Sequence, residues 1–421
     1  MNELTPKTSL ISAFLVHASV EIPFFIFPVI VLLVGNDLFQ NLGAFKWIGL
    51  GSLGTIASLA AGLPSPFFGW LADRYRRGAM MFYSLIISAL GALIIGFLGK
   101  SFIAMAAGVG LTGLGVSLYH PPGLSWVSTA YEDPVRQSYS SNYNRVLGIH
   151  GMGGTVGASI GPLSVYLLVD IINWRQIYIL WAIPLVILAV GFWLFVGRYE
   201  SRVEYFSSSP ENLYTGNKAN NMYLGNNRAV LVVFGFIFTM SLAGGMISFI
   251  LSPFLSEVKK FKVSEAAFFV GFANLLGAIG QLIGGYLGDK FSEKFALLCS
   301  TTLQVGILVG IYIITQNFIL FVFYIGLGMV TAIFMPATNS LLAKSAARRG
   351  SAFGWFMLIS SVVRSLGPGI DGLLISVDPN DYLLIFSLAI FLSIGAVISL
   401  LLLKSTRAVI ETTDNSTMRG I

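Results

Sequence analysis

Hydrophobic residues run along this chain in long blocks separated by short polar breaks, without the strict alternation of a half-buried strand. The blocks occupy 9–34, 47–71, 79–99, 102–130, 138–169, 176–197, 229–255, 265–288, 295–315, 318–343, 351–377 and 382–403. Each can cross a hydrocarbon core, which takes roughly 20 apolar residues in helical form. Open sheets would leave backbone groups unpaired in lipid, so helices are the expected form. The pattern predicts an all-α integral membrane protein with twelve transmembrane helices. Several blocks exceed the minimum length, as tilted helices with Gly and Pro bends do. The first block is too long for a signal-peptide core and lacks a small-residue cleavage site, so it counts as a span.

The longest polar stretch, Arg198 to Arg228, is rich in Ser, Asn and Gly and splits the blocks six and six. It reads as a flexible linker. The expected organisation is a six-helix bundle over 1–200, a linker over 201–228, a second six-helix bundle over 229–404 and a tail over 405–421. With both termini in the cytoplasm, the inside segments hold 17 Lys and Arg and the outside segments 6. That asymmetry follows the positive-inside rule and predicts a multi-pass protein of the cell membrane. The outside run Lys259-Lys260-Phe261-Lys262 is a local exception.

Composition sharpens this picture. Of 421 residues, 55% are hydrophobic and 10% charged, against about 25% charged in soluble domains. Most of the surface therefore faces lipid. The 46 glycines fit close helix approach in a membrane. The net charge of +6 comes from the inside segments and calls for no nucleic-acid partner. A single cysteine, Cys299, excludes a disulfide framework and a multi-cysteine metal site. No metal and no cofactor are expected. The absence of a Gly-Lys-Ser/Thr phosphate loop argues against direct nucleotide drive. No nucleophile has a plausible partner set, which argues against an enzyme.

The halves repeat each other. Gly69-Trp70-Leu71-Ala72-Asp73-Arg74 follows block two, and Gly285-Tyr286-Leu287-Gly288-Asp289-Lys290 follows block eight, an offset of 216 between Asp73 and Asp289. Block five carries Gly148, Gly157, Gly161 and Pro162; block eleven carries Gly354, Gly367 and Pro368. Gly148 to Gly354 and Pro162 to Pro368 share an offset of 206. Parallel repeats of this kind place a solute site near the midplane, between the halves.

In these motifs the chain resembles the major facilitator superfamily over nearly its whole length. That family's loop between spans two and three reads G-x-L-A-D-R-x-G-R followed by a basic residue. Gly69, Leu71, Ala72, Asp73, Arg74 and Arg77 match, while Arg76 replaces a glycine and Gly78 the final basic residue. Proton-driven exporters of the family carry G-x-x-x-G-P-x-x-G-G in span five. Gly157, Gly161 and Pro162 match, and Val165 and Tyr166 replace the last two glycines. The arginine that many proton-coupled members carry in span four has no counterpart between Gly108 and Gly115. Tyr119-His120-Pro121-Pro122-Gly123 and Leu147-Gly148-Ile149-His150-Gly151 resemble the fosmidomycin-resistance group of exporters. The resemblance implies two pseudo-symmetric six-helix halves working by alternating access. It also implies a conformational latch at Gly69, Asp73, Arg74 and Arg77, with Gly285, Asp289 and Lys290 as its repeat. Asp73 is expected to meet the N-terminus of span eleven, after Arg348 and Arg349, where a helix dipole favours negative charge. The competing reading makes these charges a solvated turn and a topology signal.

Ionisable groups inside spans cost about 3 kcal/mol or more at the bilayer centre and are functional hypotheses by default. Glu21 lies near the middle of span one with His17 one turn away; His150 lies at similar depth in span five. These three are the proton-coupling candidates, because burial and a neighbouring cation shift a carboxylate in opposite directions. Arg364 is the expected counter-charge or solute anchor. Asp371, Arg145, His120, Asn274 and Gln281 complete the substrate and counter-charge candidates. Arg145 and His120 are expected at comparable depth in an antiparallel pair, where they can meet. The structural alternatives are an Arg364–Asp371 ion pair, a hydrogen bond from His120 beside Pro121, a satisfied core polar group at His17, and interhelical hydrogen bonds for the amides. Gly157, Gly161, Pro162, Gly367 and Pro368 are expected helix bends. The favoured function is a monomeric secondary transporter that exports a small organic solute against protons. The alternatives are an importer or uniporter of an organic anion, and a non-transporting receptor.

Overall fold

The computed structural model describes residues 5–133, 138–139, 143–199, 227–345, 349–378 and 382–402. Residues 201–226 of the expected linker, the tail and Arg348 lie outside the described residues, and the last two linker positions, 227 and 228, are helical. The chain runs through α1 (Pro6–Leu38), α2 (Lys46–Gly62), α3 (Ser65–Ala72), α4 (Arg77–Leu98), α5 (Phe102–Ala130), α6 (Tyr143–Leu168) and α7 (Trp174–Phe195). After the linker come α8 (Asn227–Glu257), α9 (Val263–Lys290), α10 (Glu293–Ile313), α11 (Asn317–Ser345), α12 (Arg349–Val377) and α13 (Tyr382–Leu402). The second block is the one that divides. Its helix breaks at Leu63 and Pro64, so α2 and α3 together make span two. The expected start of block five at 138 is corrected: Ser138–Tyr139 pairs antiparallel with Glu132–Asp133, and α6 begins at Tyr143. Hydropathy and length mark eleven crossings among the described residues, and α6 is the twelfth. Its glycines and polar residues lower its hydropathy without shortening it.

Local sequence sets the helix ends. Thr5, Ser101 and Ser292 cap α1, α5 and α10 by accepting from a backbone N–H of the first turn. Asn173 and Gln176 form a capping box at α7. The Lys259 exception has a structural cause. Its ammonium donates to the carbonyls of Ile314 at 2.7 Å and Tyr312 at 3.3 Å, closing the C-terminal end of α10. Burial there pulls the ammonium below its ordinary value.

The halves meet along two seams. α2 and α3 lie along α12, and α6 lies along α9. At the Asp73 end, Gly69 meets the backbone of Gly350. At the opposite end, Gly372 meets the Trp47 carbonyl and Gly51. Between the seams, toward the Gly372 end, Ser252 of α8 donates to the Val29 carbonyl of α1 at 3.4 Å.

Candidate functional site

Three helices of the first half build one buried polar cluster. His17 and Glu21 sit one turn apart on α1, Tyr119 and His120 on α5, and His150 on α6. Glycine lets α1 and α6 come this close. A side chain at Gly157 would strike the Ala18 carbonyl, one at Gly161 the Ile22 carbonyl, and one at Gly154 the His17 ring. The rings pack tightly: His17 stacks on Tyr119 at 4.8 Å and on His150 at 4.9 Å, and meets His120 edge-on at 5.0 Å.

The hydrogen bonds assign the tautomers. The Ala13 carbonyl only accepts, so the Tyr119 hydroxyl donates to it at 2.7 Å. His150 Nε2 therefore donates to the Tyr119 oxygen at 2.8 Å, leaving His150 Nδ1 as a buried, unpartnered acceptor. By the same logic His17 Nδ1 donates to the His150 carbonyl at 3.1 Å, and His120 Nδ1 donates to the Val116 carbonyl at 3.0 Å. Both remaining Nε2 atoms then face the same carboxylate oxygen. His17 Nε2 lies 3.6 Å and His120 Nε2 3.4 Å from Glu21 Oε1. Two ring lone pairs and a carboxylate cannot converge in a buried site without a positive charge among them. These three donor atoms lie within 4.8 Å of one another, so the trio can hold one cation, whether a proton or a metal ion. Glu21 is 5% exposed, and bulk water does not neutralise it.

Arg364 enters from the other half. It lies midway along α12, is exposed despite that depth, and is near enough to Glu21 for the two charges to attract, though no ion pair joins them among the described residues. Its guanidinium runs beside Gly244 of α8, with Nη1 3.1 Å from where a side chain there would begin.

The other candidates separate from this cluster. The anticipated Arg145–His120 contact is corrected: Arg145 Nε pairs with Asp289 Oδ2 at 3.3 Å, half-exposed at the end of the seam, while His120 faces Glu21. Arg364 and Asp371 form no ion pair among the described residues; Asp371 is fully buried with both oxygens unpartnered. Asn274 and Gln281 lie in the α6–α9 seam. Pro162 has no N–H for the Ala158 carbonyl one turn back, and Asn274 supplies the missing donor at 3.0 Å from across the seam. Gln281 packs against Gly148 and Gly151. Pro368 likewise deprives the Arg364 carbonyl, and the adjacent Ser365 carbonyl accepts from Thr55 at 2.8 Å. Gly367 meets the backbone of Gly245 and Met246.

At one end of the seams, Asp73 accepts from the backbone N–H groups of Gly350 at 2.9 Å and Ser351 at 2.8 Å, and from the Ser351 hydroxyl. Asp289 accepts from Asn144 N at 3.2 Å and Arg145 N at 3.3 Å, in the first turn of α6. Each carboxylate thus sits on the positive end of a helix in the opposite half. Gly285 lies against Asn144 and Arg145 as Gly69 lies against Gly350. Buried Arg77 donates to the carbonyls of Ala72 and Ser125, both at 3.2 Å, tying the turn after α3 to α5. Arg74 lies over the Trp70 ring at 4.4 Å and Lys290 over Tyr286 at 5.2 Å.

The model of the family described as Major Facilitator Superfamily matches residues 9–368 and 233–415. The chain belongs to that superfamily. It is a multi-pass membrane transporter by that membership. It is 25% identical over 338 residues to "Multidrug resistance protein MdtG" of Yersinia enterocolitica, covering 79% of this chain and 76% of that protein. The protein of the same name from Citrobacter koseri is 26% identical over 330 residues, covering 76% of each. In fold the chain is similar to the human organic anion transporter MFSD10, with a TM-score of 0.69 at 14% identity, covering 96% of this chain and 100% of that one. A bacterial homologue of the human lysosomal transporter Spinster, in an inward-facing occupied conformation, gives 0.65 at 18% identity, covering 96% and 95%.

Sequence reasoning quoted Tyr119 only as part of a motif and gave it no site role, and it did not single out Gly350 or Ser351. Tyr119 carried a signal, since it adjoins His120 before two prolines; the backbone donors of α6 and α12 carry none, because any residue supplies an N–H.

Proposed function

We propose that this transporter exports small organic compounds across the cell membrane in exchange for protons, with both termini and the Asp73 end in the cytoplasm. The observation that carries the reading is the convergence of His17 Nε2 and His120 Nε2 on Glu21 Oε1. The cation this trio needs is the coupling proton. When the proton is bound, the trio is satisfied and Arg364 is free to meet an acceptor group of the solute. When the proton leaves, Glu21 returns to being the counter-charge of Arg364. Proton and solute thus compete for one set of charges, which is the requirement for exchange. His150 and Tyr119 hold His17 in place and give the proton a neighbouring acceptor at His150 Nδ1.

Asp73 and Asp289 are the latches of the cycle. Both are engaged, so this conformation is closed on the cytoplasmic side. Each charge–helix contact is made in one state and broken in the other, which biases the equilibrium by about 1–2 kcal/mol. The multidrug relatives support a broad class of small organic solutes and outward transport.

A thermal-shift screen of drugs and metabolites at two pH values selects a solute. Proteoliposomes holding the full chain and the pH dye pyranine then report both fluxes. Solute movement is expected to drive protons the opposite way. Solute flux without proton counterflow would sink the coupled reading and leave a uniporter.

A further inference from the structure

We propose that Asp371 is a second proton-binding site, separate from the Glu21 cluster and fed from the outer face through Glu257 and Tyr382. The inference rests on the proton-coupled reading for its role in the cycle, and on the following geometry for its existence.

Asp371 lies on α12 at the seam between the halves, beside Gly372, which touches the Trp47 carbonyl and Gly51 of α2. It is 0% exposed, and neither carboxyl oxygen has a hydrogen-bond partner among the described residues. Buried carboxylates are paired or hydrogen-bonded as a rule, and an ionised one with neither is driven to neutralise itself. The titratable groups on the elements around it are Lys46 at the start of α2, Glu257 at the end of α8, Tyr382 at the start of α13 and Arg364 two turns down α12. No ion pair joins Asp371 to any of them among the described residues. The group that makes this carboxyl tolerable is a proton of its own.

A route to that proton is built into the outer end. A cavity of about 450 Å³ opens there, lined by Asn36, Gln40, Lys46, Trp47 and Glu257 among others. The Tyr382 hydroxyl donates to Glu257 Oε2 at 2.7 Å. Tyr382 is itself 2% exposed and feels the charge of Asp371. Glu257 lines the cavity and Tyr382 is bonded to Glu257; Tyr382 and Asp371 are near enough for their charges to interact, with no hydrogen bond between them. Asp371 sits seven residues, roughly 10 Å of helix, on the outer side of Arg364. In the transfer, a proton reaching Glu257 passes to the tyrosine oxygen as the hydroxyl, turned away from Glu257, gives up its proton to a water that enters the gap, and that water passes a proton to the Asp371 carboxylate. One proton moves, and no covalent bond changes apart from O–H bonds. When the halves part along the α2–α12 seam, Asp371 meets water and can ionise. Each cycle would then involve a proton at this station as well as one at the trio.

The test uses the purified full chain in lipid vesicles and needs no solute. Infrared spectroscopy reads the carbonyl stretch of a protonated carboxylic acid and its shift in D₂O. Wild type at neutral pH is expected to show such a band, and Asp371→Asn to lose it. Tyr382→Phe and Glu257→Gln keep the acid and are expected to slow its exchange with outside D₂O by about a hundredfold, the scale of a removed proton-transfer group. A spectrum unchanged by Asp371→Asn overturns the site. Unchanged exchange in both Tyr382→Phe and Glu257→Gln overturns the route. Failure of proton counterflow in wild-type vesicles overturns the coupled reading instead, and the infrared result distinguishes the two.

Discussion

α6 and α12 are the same helix twice, given different chemistry. Both run along a seam with the opposite half, both begin on an aspartate of that half, and both carry Gly-Pro at the same repeat position. Yet the offset of 206 pairs His150 with Phe356, Ala158 with Arg364 and Val165 with Asp371. Where one helix carries an ionisable side chain inside the membrane, its counterpart is apolar, although hydroxyls recur at Thr155 and Ser361 and at Ser159 and Ser365. The scaffold and its aspartate–helix contacts are duplicated, and the ionisable groups of the two helices are divided: an imidazole on α6, a guanidinium and a carboxyl on α12. A site that needs both a cation holder and a counter-charge is therefore complete only when the halves meet.

The sharpest way to break this division is to remove one member from each half. Glu21→Gln leaves the imidazoles without a carboxylate, and Arg364→Gln leaves Glu21 without its counter-charge. Each is expected to lower proton-coupled flux in vesicles by at least about a hundredfold, the scale of a lost proton-transfer group. Glu21→Gln is expected to leave solute exchange without a gradient largely intact, because the anchor Arg364 remains. If the two variants lose gradient-driven and exchange flux alike, the division of labour is wrong.

Twelve spans, two halves and their motifs were legible because hydrophobic length, Gly-Pro spacing and a repeated aspartate are local properties of the chain. α5 matches its block at both ends, since Ser101 caps one and the polar Tyr131-Glu132 ends the other. The break of span two at Pro64 was harder to read, because proline inside an apolar block does not by itself end a helix. Glu21, His17 and His150 were visible as ionisable residues at one depth. What depth does not show is rotation about the helix axis. Arg145 and His120 part in depth as well, since Arg145 lies in the first turn of α6 and His120 beside mid-span Glu21, and Asp371 shares a helix with Arg364 while facing another part of the seam. Tyr119 was visible in its motif beside His120, but its role was not, because a tyrosine's part depends on the partner its hydroxyl finds.

The scaffold side of the comparison predicts a middle-sized effect. Gly157→Val drives a branched side chain into the Ala18 carbonyl, and Gly367→Val drives one into the backbone of Gly245 and Met246. Backbone cannot swing aside as a side chain can. Each variant is expected to destabilise the protein by about 1–3 kcal/mol, read as a lower thermal midpoint in detergent. Equal losses at the two positions support a duplicated scaffold. A large loss at only one would mean that the seams are not mechanically equivalent.

The smallest expected difference separates the two latches. Asp73 is buried and takes two backbone bonds below 3.0 Å plus a serine hydroxyl. Asp289 makes backbone bonds of 3.2 and 3.3 Å and shares its charge with an Arg145 side chain that is 46% exposed. Exposed ion pairs contribute only about 0–1 kcal/mol, whereas a buried carboxylate on helix N–H groups contributes up to about 2 kcal/mol. Asp73→Asn is therefore expected to slow transport several-fold with solute affinity nearly unchanged. Asp289→Asn is expected to slow it less, and added salt should narrow the gap between wild type and Asp289→Asn only. Affinity falling in step with rate for Asp73→Asn would place that residue in the solute site and end its reading as a latch. Equal slowing by both variants at every salt concentration would show that exposure at the Arg145 pair makes no difference to what the aspartate contributes.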